Sequence, residues 1–221
     1  MARLVASGAE IERADAGQRI ARHHHESAYA ALVLRGGYLE AGDRGRIRTR
    51  PGDVVFHAAF DGHCNCIAGS GADILNLPLA TAPEYSLGIC RDPDAVARLA
   101  ERDPGAAVEW LLATTVGSVA PTIDWPDQLA SDLRANRIGR LDCWAADHGL
   151  SASEVSRGFS AVYGVSPKRF RLELRAARAA RRIADGARLS DAAFAAGFAD
   201  QPHMTRTIGA MFGRSPAQLQ S

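Results

Sequence analysis

Two stretches of the chain repeat each other. Residues Gly149–Pro167 read GLSASEVSRGFSAVYGVSP, and residues Gly197–Pro216 read GFADQPHMTRTIGAMFGRSP. Gly149 corresponds to Gly197 at an offset of 48 residues, whereas Tyr163 corresponds to Phe212 at an offset of 49. The extra residue falls in a turn, where insertions are tolerated. An internal repeat of this length indicates one structural unit used twice.

Each copy has the features of two helices joined by a glycine turn. The predicted first helices are Leu141–His148 and Asp191–Ala196. Each ends at a glycine, which adopts a positive φ at little cost. Apolar residues four apart follow: Val155 and Phe159 in the first copy, Met204 and Ile208 in the second. This spacing places one face of the second helix against the first and leaves the other face exposed. The pattern predicts two helix-turn-helix units.

A single long helix is predicted between the two units. Ser166 and Pro167 form an N-cap and first-turn pair, and Asp185-Gly186 ends the helical pattern after Ala184. Eighteen residues at about 1.5 Å each span roughly 27 Å. Two units held that far apart can address successive major grooves, which lie about 34 Å apart. The helix carries Lys168, Arg169, Arg171, Arg175, Arg178, Arg181 and Arg182.

Composition and charge agree with a globular protein of two parts. The chain has 221 residues, 47% of them apolar, and a net charge of +1. Residues 1–120 carry −3 and residues 121–221 carry +4, which favours a nucleic-acid-binding C-terminal half. No apolar run reaches the length of a membrane span, and the N-terminus lacks the pattern of a secretion signal. With only four cysteines, a cytoplasmic protein with reduced thiols is expected.

The N-terminal half has the period of β-structure. The predicted strands are Ala28–Leu34, Tyr38–Ala41, Arg46–Thr49, Val54–His57 and Ile74–Leu79, and Gly36-Gly37 closes the first. Their spacing and turns predict an antiparallel barrel or sandwich. After Cys90 the period becomes helical, with Asp92-Pro93 beginning a helix and Gly117–Pro121 as candidate linker. We expect a barrel over residues 1–90, a helical connector over 91–122 that could supply a dimer contact, and a helical domain over 123–221.

The C-terminal hundred residues resemble the DNA-binding domain of AraC/XylS-type transcription regulators. The motifs are Ala193-x3-Gly197-Phe198, Phe212-Gly213-x-Ser215-Pro216 and Arg175-x3-Ala179. The resemblance implies an α+β protein, with an antiparallel cupin-like β-barrel followed by an all-α domain of two helix-turn-helix units joined by a linker helix. The chain departs from the family pattern at Met204, Ile208 and Gly209. Gly158 and Gly209 each cost about 1 kcal/mol of helix stability relative to alanine.

The exposed faces of the second helices are predicted to read DNA. The residues expected there are Ser153, Ser156 and Arg157 in the first unit, and Gln201, Thr205 and Arg206 in the second. Arginine can donate two hydrogen bonds to guanine, glutamine can pair with adenine, and hydroxyls serve base or phosphate. The family resemblance puts base contacts at the same positions. Ser151, Lys168 and Arg214 are expected to contact the DNA backbone, which adds affinity without sequence information.

A histidine cluster in the N-terminal half resembles the cupin motifs. Gly17-x5-His23-x-His25-x3-Tyr29-x6-Gly36 follows the first motif, with Tyr29 where a glutamate is usual, and Gly52-x10-His63 follows the second. His23 and His25 alternate along a strand and face the same side. With Tyr29 and His63 they form a candidate site for an effector or for Zn, Ni, Cu or Fe, in which the histidines would be the metal ligands. No cofactor is required by this reading, because such histidines also line metal-free pockets.

A second ligand set lies nearby in the sequence. His57, Cys64 and Cys66 together would suit a soft metal or a redox sensor, because Cys64 and Cys66 point the same way along a strand. A buried cysteine is also an ordinary small apolar residue, so both interpretations stay open.

The sequence therefore predicts a cytoplasmic, homodimeric transcription regulator that binds promoter DNA and a small-molecule or metal effector. RNA polymerase is the further partner implied, and no membrane is involved. The alternative is a metal-dependent cupin enzyme, an oxygenase or isomerase, which the missing carboxylate ligand disfavours. A third reading, an architectural or sequestering binder, would be indifferent to DNA sequence.

Overall fold

The computed structural model describes residues 8–119 and 122–220, which form two compact units. The first unit contains residues 27–59, residues 63–123 and the stretch that precedes residue 22. The second contains residues 124–220 together with the short segments 22–26 and 60–62. Ala120 and Pro121, the end of the predicted linker, lie outside the described residues.

Residues 8–119 form eight strands and two helices. The strands are β1 (Glu10–Ala14), β2 (Arg19–His24), β3 (Tyr29–Gly42), β4 (Gly45–Arg48), β5 (Asp53–His57), β6 (Gly62–Pro78), β7 (Leu87–Ile89) and β8 (Val116–Ser118). The helices are α1 (Pro93–Ala100) and α2 (Pro104–Thr114). The sheet order is β1-β6-β3-β5-β7-β8, with β2 beside β6 and β4 beside β3. The pairs along this order, and the pair of β3 with β4, are antiparallel.

The two longest strands, β3 and β6, pair with each other along most of their length, and β3 changes its other partner on the way. The first part of β3 pairs with β5 and the end of β6, while its last part pairs with β4 and the start of β6. Because successive side chains point to opposite faces, the sheet supports two cores. One core packs against α1 and α2 and includes Ala30, Leu32, Val54, Phe56, Leu75 and Leu77. The other joins the two halves of β3 and includes Ala31, Val33, Tyr38, Ile47, Val55 and Ile67.

The strand predicted to end at Gly36-Gly37 instead continues through them. Register shifts on both sides of Gly36 let β3 change partners there without ending. Gly36 has a φ of +66°, and a Cβ at this position would overlap the carbonyl oxygen of Gly71 on β6. The glycine is therefore needed for the close approach of two backbones. The prediction that Gly36-Gly37 ends a strand is wrong, because these glycines lie inside β3.

The connector belongs partly to the sheet. Asp92 caps α1 as predicted, its side chain accepting a hydrogen bond from the backbone N–H of Ala95 at 2.9 Å. The predicted linker Gly117–Pro121 begins inside β8, which pairs with β7. Gly117 lies against the ring of Tyr85, only 3.0 Å from where a Cβ would stand, so this glycine permits packing and does not mark a chain break.

The C-terminal unit is helical. Its helices are α3 (Trp125–Arg134), α4 (Leu141–Asp147), α5 (Ala152–Tyr163), α6 (Pro167–Ala184), α7 (Leu189–Ala196) and α8 (Gln201–Phe212), followed by a 3-10 turn at Pro216–Leu219. Gly149 and Gly197 have positive φ at the two predicted turns, and α6 has the predicted bounds. A helical domain that follows an antiparallel sheet confirms the predicted α+β class. Among residues 8–119 and 122–220, no helix combines the length and apolar character that a membrane span requires.

Candidate functional site

The second helix of each repeat begins at a strong N-cap. At α5, the Ser151 hydroxyl accepts a hydrogen bond from the backbone N–H of Glu154 at 3.2 Å, and the Ser151 N–H donates to the Glu154 carboxylate at 2.8 Å. At α8, the Asp200 carboxylate accepts from the backbone N–H of His203. Reciprocal or single caps of this kind satisfy the free N–H groups of the first turn. Ser151, predicted as a phosphate contact, is thus occupied in capping its own helix.

Both helices bury one face and expose the other, as predicted. Val155 and Phe159 are buried on α5, and Met204 and Ile208 are buried on α8. The predicted base-reading residues lie on the remaining faces: Ser153, Ser156, Arg157, Gln201 and Arg206 are exposed, and Thr205 is half-buried. The two arginines are therefore available to a ligand on the surface of the same unit.

The basic residues of α6 differ in their surroundings. Lys168 is exposed in the first turn. Arg169 forms an ion pair with the buried Glu173 at 2.8 Å, and Arg171 donates to the carbonyl oxygen of Ile138 at 2.9 Å. Burial, and then the nearby arginine charges, lower the pKa of the half-buried Arg178 guanidinium. Several of these arginines therefore hold the domain together, and Lys168 is the better candidate for a backbone contact.

Gly158 on α5 has a packing role that the sequence did not reveal. A Cβ at this position would overlap Cζ2 of Trp125 and would lie 2.8 Å from its Cη2. The Trp125 ring lies 6.3 Å from the ring of Trp144, whose Nε1 donates to the buried Asp132 at 2.9 Å. The glycine lets α3 approach α5, so its low helix propensity is the cost of a close helix contact.

Four polar side chains of the first unit meet inside the sheet. Tyr29 and Glu40 belong to the two halves of β3, His57 ends β5, and His63 begins β6. Each of the four residues is two or four positions from an apolar residue of the second core, and so shares a strand face with it. Glu40, His57 and His63 are buried, and Tyr29 is half-buried.

The distances within this group are short. One Glu40 carboxylate oxygen, Oε2, lies 3.0 Å from His63 Nδ1 and 3.6 Å from His57 Nε2. The Tyr29 hydroxyl lies 3.2 Å from His63 Nε2, and the Tyr29 ring stacks on the His57 ring at 4.3 Å. Burial, and then the Glu40 charge, raise the pKa of Tyr38 well above its ordinary value. The group we call the buried histidine cluster is Tyr29, Glu40, His57 and His63.

Glu40 was missed from the sequence. The cupin resemblance lacks a carboxylate at Tyr29. Glu40, eleven residues later in the predicted strand Tyr38–Ala41, brings one to His57 and His63. The available signal is a charged residue that shares a strand face with Tyr38 in an otherwise apolar strand. Such a residue either faces solvent or needs a buried partner, and here it has buried partners.

The remaining predicted ligands are His23, His25, Cys64 and Cys66. His23 and His25 fall in the segment 22–26 that groups with the second unit, and their rings are 4.8 Å apart. The site formed by these two residues with His63 stays a prediction. Cys64 and Cys66 alternate with His63 along β6 and so point to its other face, and Cys64 Sγ contacts the Ala41 carbonyl oxygen at 3.6 Å. Among the described residues, cysteine belongs to no cluster of three or more side chains that are close enough together to share a metal ion.

Solved structures similar to this chain include proteins of three kinds. Apo ToxT from Vibrio cholerae strain SCE256 is 9% identical, with 95% of each chain covered and a TM-score of 0.43. A probable AraC family transcriptional regulator from Rhodopseudomonas palustris is 28% identical over 42% of this chain and 90% of that one, with a TM-score of 0.38. Salicylate 1,2-dioxygenase from Pseudoaminobacter salicylatoxidans is 14% identical over 31% of this chain and 20% of that one, with a TM-score of 0.29.

These TM-scores are low, so the functional conclusion rests on the C-terminal domain. No curated protein sequence matches the chain. The family model described as a helix-turn-helix domain matches residues 144–221, which contain both α5 and α8 with their exposed arginines. Residues 144–221 therefore form a helix-turn-helix domain, and helix-turn-helix units place their second helix in the major groove of DNA.

Proposed function

We propose that the chain is a DNA-binding transcription regulator of the AraC type. It reads a two-part promoter site with α5 and α8, and its N-terminal sheet domain senses a small molecule or a metal ion. The observation that carries the first part is the repeated presentation of one exposed arginine, Arg157 or Arg206, on a capped helix whose opposite face is buried. An arginine on such a face suits the major-groove edge of guanine. Ser153, Ser156, Gln201 and Thr205 complete the two reading faces.

Selection from a random pool of double-stranded DNA tests the two-part site. We expect the full chain to enrich a bipartite motif with halves about one helical turn apart, because α6, with its 18 residues, spans about 27 Å and successive major grooves lie about 34 Å apart. Enrichment of a single short motif would contradict the use of both units. Binding that ignores sequence at fixed salt would contradict specific reading altogether and would favour an architectural binder.

Paired variants separate base reading from backbone binding. Arg206→Ala should weaken one half-site by about 1–3 kcal/mol and relax its sequence preference. Lys168→Ala should lower affinity for every sequence alike and reduce the salt slope by about one ion. Circular dichroism checks that both variants fold. Equal effects of the two variants on every sequence would contradict the division of roles.

The sensing role is proposed for the first unit, which encloses polar side chains within an apolar core. A ligand regulates only if it binds two arrangements of the protein with different affinity. The measurement is DNA affinity with and without added effector. Because Glu40, His57 and His63 side chains are 4–5% exposed, a substrate would have poor access to them, and we propose no enzymatic activity. Turnover of a small substrate by iron-, manganese- or nickel-loaded protein would overturn this.

We also propose that the regulator is a homodimer in the cytoplasm, with RNA polymerase as a further partner. Ile89 and Val116 are exposed cross-strand neighbours near one end of the described sheet, and Trp110 on α2 is also exposed. Apolar surface of this kind at a sheet edge suits a second copy, since twofold dimers are the commonest oligomers. Sedimentation should give a dimer that Trp110→Ser weakens, whereas a monomeric parent chain would refute the proposal.

A further inference from the structure

We infer that the buried histidine cluster is a transition-metal site in which Glu40, His57 and His63 are the ligands and Tyr29 is an outer-shell partner. Three potential ligand atoms lie within 4.8 Å of one another, all on buried side chains of the first unit. This set shares only His63 with the site implied by the cupin resemblance. It deepens the sensing role in the proposed function, on which its regulatory meaning rests.

The spacing of the ligand atoms fits a tetrahedral ion. Zinc bonds to imidazole nitrogen and carboxylate oxygen measure about 2.0–2.2 Å, so two ligands of a tetrahedral ion lie about 3.3–3.5 Å apart. The Glu40 oxygen lies 3.0 Å from His63 Nδ1 and 3.6 Å from His57 Nε2, on either side of that separation. Both separations therefore come within a few tenths of an ångström of the tetrahedral value, and all three ligand atoms lie within 4.8 Å of one another.

The outer contacts favour metal-binding orientations of His63. With Nδ1 directed at Glu40, the other ring nitrogen, Nε2, lies 3.2 Å from the Tyr29 hydroxyl. A metal-ligating histidine needs its second nitrogen to donate a proton to such a partner, which fixes the tautomer and ring orientation. The Tyr29 hydroxyl can accept this hydrogen bond, and its ring stacks on the second histidine ligand, His57.

The donor set selects the class of ion. Two imidazoles and one carboxylate suit zinc, cobalt, nickel or iron, whereas magnesium and calcium prefer oxygen ligands throughout. Three protein ligands leave one coordination position for water or for a small anion. The carboxylate also offsets part of the charge that a divalent ion would bring into an apolar core.

Cobalt titration of the full chain, freed of metal with a chelator, tests the site without DNA. We expect one Co²⁺ per chain, with the visible absorption of a tetrahedral complex, displaced by one equivalent of Zn²⁺. Glu40→Gln and His57→Gln should each abolish the saturable signal. Tyr29→Phe should weaken binding by about 10- to 100-fold, as loss of an outer-shell partner does. The matched controls His23→Gln and His25→Gln should leave the stoichiometry and the spectrum unchanged.

Three outcomes would overturn the inference. The parent chain fails to bind one Co²⁺, or its complex lacks the tetrahedral spectrum, or the His23 and His25 variants lose the ion while the Glu40 and His57 variants keep it. Circular dichroism identifies any variant that fails to fold, and the parent chain and the milder Tyr29→Phe variant then still give a decisive answer. DNA selection on the same protein is scored separately, so failure of the metal site and failure of DNA reading are distinguishable.

Discussion

Replacing Gly158 by alanine should destabilise the DNA-binding domain, although alanine is the better helix former. Alanine in a helix interior gains about 1 kcal/mol over glycine. At Gly158, however, the new methyl group would overlap the Trp125 ring and stand 2.8 Å from its Cη2, against a contact optimum of about 3.5–4.0 Å. Displacing that ring disturbs Trp144 and its hydrogen bond to Asp132, and overpacking of this kind costs about 1–3 kcal/mol. We expect a net loss of about 1 kcal/mol.

Gly209→Ala is the matched control. It lies in α8, and a Cβ there would meet nothing within 4 Å, so the helix gain of about 1 kcal/mol should appear in full. Urea unfolding of the full chain, followed by far-ultraviolet circular dichroism and tryptophan fluorescence, measures both free energies of unfolding. The packing argument is refuted if Gly158→Ala is as stable as Gly209→Ala, or if both variants stabilise the domain.

Four further predictions concern other contacts. Ser151→Ala should cost about 0.5–2 kcal/mol in the same urea assay, because it removes the N-cap of α5, and an unchanged midpoint would contradict this. Tyr163→Phe should cost about 1–3 kcal/mol, because it deletes the 3.0 Å hydrogen bond to the buried Asp127. Gly36→Ala should cost about 3 kcal/mol and lower the thermal midpoint of the sheet domain, because of overlap with Gly71 and its positive φ. Burial alone would raise the pKa of Asp132, but the hydrogen bonds from Trp144 and Arg137 outweigh burial, so this pKa is lowered. Its stabilising effect is therefore present above the unfolded pKa of about 3.9 and lost as pH falls through the folded value, and Asp132→Asn should flatten the acid limb of a stability–pH curve.

Local signals in the sequence were sufficient for the helical half. The bounds of α6 follow from Ser166-Pro167 at one end and Asp185-Gly186 at the other, and the two glycine turns follow from the repeat. These features depend on residues within one or two turns of each other, which the sequence displays directly. The exposed positions of Arg157 and Arg206 follow from the same helical period.

The structure of the sheet unit is harder to predict, because its decisive contacts join residues that are far apart in the sequence. The continuity of β3 through Gly36 depends on Gly71, and the environment of Glu40 depends on His57 and His63 from two other strands. Periodicity predicts which residues share a face, but the partner across the core depends on register, which the sequence does not display. Cys64 and Cys66 lie within nine residues of His57 in the sequence, which led to the prediction of a shared site. In the sheet they point to the opposite face from His63.

Both ends of β3 contact one side chain of the buried histidine cluster, His63. Tyr29 and Glu40 are eleven positions apart on β3, a separation of about 36 Å in a straight strand. Both nevertheless reach the His63 ring, at 3.2 Å and 3.0 Å. The His63 imidazole thus connects the two ends of β3, a strand whose pairing register shifts on both sides of Gly36. A change at His63 would therefore act on both ends of β3, and through them on the strands β4, β5 and β6 with which β3 pairs.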